Sequence, residues 1–138
     1  SQGRRSHMED AFVTVSDLLA GSSSTAASAA PAPLAWRLAC VADGHGGHQV
    51  AELCCRELPV RIAQLLAEAL AVNPVLAPSD VSPTQAPQPC SQHEPIKVLL
   101  DTAFAELDQT IPEEQASNCG STVILAIVSP TTVFVANC

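Results

Sequence analysis

Residues 41–52, VADGHGGHQVAE, restrict this chain more than any other stretch. Val41 and Ala42 read as the end of a buried strand. Gln49, Val50, Ala51 and Glu52 read as the first turns of a helix. The chain must therefore turn from strand to helix across Asp43–His48, on a corner holding one carboxylate, two imidazoles and three glycines. Gly44, Gly46 and Gly47 let the backbone turn sharply and approach a ligand closely. The helix beyond points its free N–H groups and positive dipole end at the same place. Such a corner favours phosphate, or a metal joined to phosphate through Asp43.

Around this corner the pattern is mixed α and β. Residues 11–20, AFVTVSDLLA, contain Phe12, Val13 and Val15 and read as a strand. Residues 34–43 are apolar at nearly every position, which predicts a strand covered on both faces. From Gly46 to about Ala71, Val50, Leu53, Cys54, Leu58, Ile62, Leu65, Leu66, Ala69 and Leu70 recur at helical spacing. Pro59 interrupts that run and predicts a kink or two short helices, because it removes the bond to the Cys55 carbonyl. Residues 95–111 predict an amphipathic helix with Pro95 in its first turn. Val123–Val128 and Thr132–Ala136 flank Ser129-Pro130 and predict a hairpin. Residues 21–33 are small and polar, and Pro74, Pro78, Pro83, Pro87 and Pro89 crowd residues 72–94. Both segments are expected to be flexible surface loops.

The chain of 138 residues carries a formal net charge of -8. A general nucleic-acid binder needs a basic surface, and six Lys and Arg against fourteen Asp and Glu do not supply one. An acidic chain is instead a natural host for a divalent cation. No apolar run is long enough to span a membrane. The six cysteines form no C-x-x-C pair, which argues against a structural zinc site and for buried thiols in a reducing compartment. An intracellular setting, cytoplasm or nucleus, is the expectation, with any address signal free to lie upstream of Ser1.

A second acidic motif precedes the first strand, in GRRSHMEDAF. The neighbouring carboxylates of Glu9 and Asp10 repel one another near an interior unless a cation or proton intervenes. Hard divalent cations take carboxylate and carbonyl oxygens, and an arginine beside them can grip phosphate bidentately. Taken singly, each residue has a plainer reading. Glu9 and Asp10 could be solvated turn residues, Arg5 could pair with Asp10, Asp43 could cap the helix, and His48 could be a helix-surface residue.

In order, R-S-H-M-E-D, V-A-D-G-H-G-G, G-S-T-V-I-L-A-I-V and V-F-V-A-N-C resemble the metal-dependent serine/threonine protein phosphatases of type 2C. The resemblance runs from Gly3 to Cys138. It implies an α+β fold of two antiparallel sheets packed face to face and flanked by helices, of which this chain is the N-terminal portion. It implies two Mg²⁺ or Mn²⁺ ions and phosphoprotein substrates. By position, Arg5 would contact the substrate phosphate, Glu9 would help hold one metal, and Asp10 would support the metal-bound water shell. Asp43 would bridge the metals, Gly44 would offer its carbonyl oxygen, and His45 would be the general acid for the leaving alkoxide.

The family's Gly-Asp-Ser-Arg turn after V-A-N-C, and its later metal-ligating aspartates, have no counterpart in these residues. The expectation is therefore an N-terminal part of one catalytic domain, inactive and only marginally stable alone. Two other readings stand beside it: a non-catalytic regulatory or interaction protein, and a zinc hydrolase using Asp43, His45 and His48.

Overall fold

A computed structural model describes residues 7–20, 35–73 and 94–138, with the backbone alone for Gln115. The expected loops at 21–33 and 72–94 lie outside the described residues, apart from Val72, Asn73 and Glu94. The chain runs β1 (Ala11–Val15), β2 (Arg37–His45), α1 (Gln49–Val72), α2 (Glu94–Thr110), α3 (Glu113–Ala116), β3 (Gly120–Val128) and β4 (Val133–Asn137). The four strands form one antiparallel sheet in the order β1-β2-β3-β4. With its helices this makes an α+β fold, as the sequence led one to expect.

Alternation decides which face of the sheet is covered. Leu38, Cys40, Ala42 and Gly44 of β2 are buried, while the residues between them are exposed. Val123, Leu125 and Ile127 of β3 are buried on that same side. Against this face lies α1, which packs across β1, β2 and β3, with α2 against α1. Leu58, Ile62 and Leu66 of α1 and Ala103 of α2 are wholly inaccessible to solvent, as are Leu125 and Ile127. Trp36 closes one end of this core and stacks on Phe134, with ring centroids 6.3 Å apart. On the outer edge of the helical layer, Arg61 of α1 donates to the Glu106 carboxylate of α2.

Three local expectations change. Pro59 neither ends α1 nor divides it: one 24-residue helix runs through it. Pro59 is itself buried, so contact with the core outweighs the lost backbone bond at that turn. The helix also starts at Gln49, as the Gln49–Glu52 stretch reads, although the helical pattern was counted from Gly46. Thirdly, β2 is covered on one face only among the described residues. Its other side carries Val41, 49 % exposed, although Val41 and Ala42 both looked like strand interior. An unbroken apolar run was the reason to expect cover on both faces; the apolar residues are there, but no described element lies over them. The hairpin and the helix with Pro95 in its first turn form as expected.

Candidate functional site

Strand β2 extends further than its sequence suggests. Asp43, Gly44 and His45 remain in the sheet, paired with Thr122, Ser121 and Gly120. The reversal itself falls on Gly46 (φ 75°) and Gly47 (φ 145°), conformations that side chains other than glycine adopt only with strain. A Cβ at Gly46 would also strike the Asn118 carbonyl, so the turn preceding β3 braces the corner from below. His48 occupies the N-cap of α1 without a capping side-chain bond. Asp43 is therefore a strand residue and not the helix cap. The exposed His48 ring sits 4.0 Å from Glu52, one turn along the helix.

The first acidic motif reaches the same place through the sheet. Ala11 pairs with Ala42. Beyond this last pair, the Glu9 backbone still runs against Gly44. The backbones approach so closely there that a Cβ at Gly44 would collide with the Glu9 carbonyl oxygen and lie 3.0 Å from that of Gly47. Gly44 is buried and Glu9 half-buried, while Asp10, Asp43 and His45 are exposed. At the end of the ladder, the His45 ring lies over Gly120. Arg5 lies outside the described residues, so its position relative to these acids is not part of this geometry.

Oxygen donors dominate this corner: three carboxylates and the carbonyls of Glu9, Gly44 and Gly47. Among the described residues, no ion pair engages Glu9, Asp10 or Asp43. Also among them, no three His, Cys, Asp or Glu side chains are gathered closely enough to hold a metal ion. That counts against zinc on Asp43, His45 and His48, because zinc takes three or four protein side chains. It weighs less against Mg²⁺, which keeps several waters and is held through one or two carboxylates. The donor chemistry fits a hard divalent cation, with most of its shell left to other groups.

Burial pushes the Cys40 thiol up to about 12 and the Cys54 thiol up to about 11, with neighbouring cysteines adding to each shift. Cys55, also buried, is raised for the same reason, partly offset by hydrogen bonding with Cys40 and with the Ala42 backbone. These thiols lie beneath the sheet on the helical side and remain protonated near neutral pH, which makes them poor nucleophiles.

Gly120 and Asn118 were not singled out from the sequence. The glycine opening the GSTVILAIV run was visible, but its partner depended on strand register. Positions 45 and 120 carry no shared local pattern that would pair them.

A model of the family Protein phosphatase 2C matches residues 1–138. Protein phosphatase 2C 56 of Arabidopsis thaliana is 33% identical over 137 residues, covering 99% of this chain and 29% of that protein. Protein phosphatase 2C 77, also of Arabidopsis thaliana, is 30% identical over 143 residues, covering 99% of this chain and 31% of its own length. Protein phosphatase 1A of Homo sapiens is 29% identical over 142 residues, with 99% and 30% covered. The chain thus spans about three tenths of the length of these relatives. With the two acidic motifs joined through the sheet and a family match across all its residues, the chain belongs to the protein phosphatase 2C family.

Proposed function

We propose that this chain forms the N-terminal part of a catalytic domain that hydrolyses phosphoserine and phosphothreonine in proteins. The observation that carries this reading is the close approach of the Glu9 backbone to Gly44, beside the Ala11–Ala42 pair that ends the β1–β2 ladder. That approach puts acids from two distant motifs beside a glycine corner and the start of a helix.

Asp43, Glu9 and the Gly44 carbonyl would hold Mg²⁺ or Mn²⁺, and Asp10 would hydrogen-bond to water around it. When bound, two such ions activate a water and align the phosphate oxygens. Arg5 grips the phosphate oxygens as a bidentate fork, which orients the substrate for in-line attack. His45 gives a ring proton to the departing serine or threonine oxygen, which would otherwise leave as a high-energy alkoxide. The helix that follows the corner adds its dipole field to the same region.

The donors on these residues leave most of a two-metal shell open, so the 138-residue chain by itself is inactive. The full polypeptide carrying this segment should hydrolyse a phosphoserine peptide with Mn²⁺, and Asp43→Asn should lower kcat at least about 10²-fold. Turnover by the 138-residue chain alone, abolished by Asp43→Asn, would overturn the claim that the segment is incomplete. Absence of Mn²⁺-dependent turnover in the full polypeptide would overturn the phosphatase reading.

A further inference from the structure

We propose that Gly120 is a positioning residue for His45, a role that rests on the reading of His45 as the proton donor. His45 and Gly120 are paired partners at the end of the β2–β3 ladder. A Cβ at position 120 would lie 2.6 Å from His45 Nε2, 2.9 Å from Cε1 and 3.6 Å from Cδ2. The first two distances are too short for any real contact, so a methyl group there must move the ring. All three of the nearest atoms to that methyl belong to the same imidazole. The position therefore sees His45 first.

Backbone conformation is not why glycine stands here. The positive-φ glycines among the described residues are Gly46 and Gly47, and Gly120 is not one of them. A strand position with ordinary φ accepts alanine without backbone strain. What alanine removes is the bare floor on which the ring rests. Because β2 ends at His45 and the chain reverses at once, that floor is supplied by the neighbouring strand. The absent side chain at 120 thus sets how far the ring stands from the sheet, and so where its proton is delivered.

The experiment uses the full polypeptide with Mn²⁺, a phosphoserine peptide and p-nitrophenyl phosphate. The alkoxide leaving from the peptide needs a proton, whereas p-nitrophenolate leaves without one. Gly120→Ala should lower kcat on the peptide about 10²-fold with KM unchanged, as expected when a proton donor is misplaced by about an ångström. On p-nitrophenyl phosphate it should change kcat less than about 3-fold, because general-acid assistance is worth little to that leaving group. His45→Gln should show the same contrast, and Gly120→Ala added to it should cost nothing more, since both changes remove one function. The thermal midpoint should be no lower than that of the parent.

Carbon–proton NMR correlations of the His45 ring should shift in Gly120→Ala while those of His48 stay. In the parent, a nuclear Overhauser contact between Gly120 Hα and the His45 ring is expected, so a variant that fails to fold still leaves a decisive measurement. The inference is overturned by an unmoved His45 ring, by absence of the Overhauser contact, by equal losses on both substrates, or by a further loss in the double variant. If His45→Gln leaves peptide turnover intact, the proton-donor role fails, while the NMR measurements still decide whether Gly120 places the ring.

Discussion

A methyl group at position 44 has nowhere to go. It would meet the Glu9 carbonyl oxygen and, 3.0 Å away, the Gly47 carbonyl oxygen, both backbone atoms that cannot swing aside as a side-chain tip could. Gly44→Ala must then part β1 from β2 or open the corner. Overpacking of this kind costs about 1–3 kcal/mol, to be read as a lower urea midpoint with an unchanged slope. If the two acidic motifs share a cation, the same variant should also weaken Mn²⁺ binding by titration calorimetry. Stability loss with unchanged Mn²⁺ affinity would detach the metal from this corner. Glu9, Asp10, Asp43, Gly44 and His45 could all be picked out in the sequence, because carboxylates beside glycines and histidine stand out from an otherwise apolar background. Their exact place could not. Asp-Gly usually signals a turn, yet both residues stay in β2 because Thr122 and Ser121 pair with them. A distant strand decides that, and no local pattern reports it.

The helices were legible for the opposite reason: their signal is local and long. Ile96, Leu99, Leu100, Ala103 and Leu107 repeat at three and four residues, and all five are buried in α2. Pro59 left open a division into two helices that does not occur, because intrinsic propensity was weighed without the core into which α1 packs. The interface between β2 and α1 carries a pH-dependent element. Cys40, Cys54 and Cys55 are buried there as neutral thiols, and burial raises each. A raised pKa means the folded state holds its proton more tightly than the unfolded chain does. That stabilising contribution is complete below the ordinary thiol value of 9.0 and is lost as pH climbs toward about 12 for Cys40. For Cys54 the loss runs toward about 11. Urea midpoints should therefore fall between pH 9 and pH 11, with Cys40→Ala flattening part of that decline. In the native state near neutral pH, iodoacetamide should label the exposed Cys138 well before Cys40, Cys54 or Cys55. Peptide mapping by mass spectrometry reads this directly, and rapid labelling of Cys40 would contradict the packing of β2 on α1.

Among the described residues, one sheet face is well covered and the other is bare. Across the bare face Phe12 pairs with Val41 and Val41 with Ile124, making an apolar row over three strands. The next row on this face adds Ala39, Ala126 and Val135. Phe12 is 80 % exposed and Val135 63 % exposed. A contiguous apolar surface of this kind marks a face that something else covers. The fold expected from the phosphatase resemblance supplies the cover: a second sheet packed about 10 Å away. That arrangement makes the cost of a substitution depend on how much of the polypeptide is present. In the 138-residue chain Phe12→Ala removes a side chain that already faces water, so stability should move by less than about 0.5 kcal/mol. In the full polypeptide the same side chain would lie between two sheets, and truncating it should cost about 3–5 kcal/mol. Urea denaturation of both forms tests this, with the exposed face of the short form also expected to bind the dye ANS. Equal small effects in both would mean that Phe12 stays in water and that the second sheet does not lie over β1. Equal large effects would mean that the short chain buries the face by self-association, which a concentration-dependent midpoint would expose.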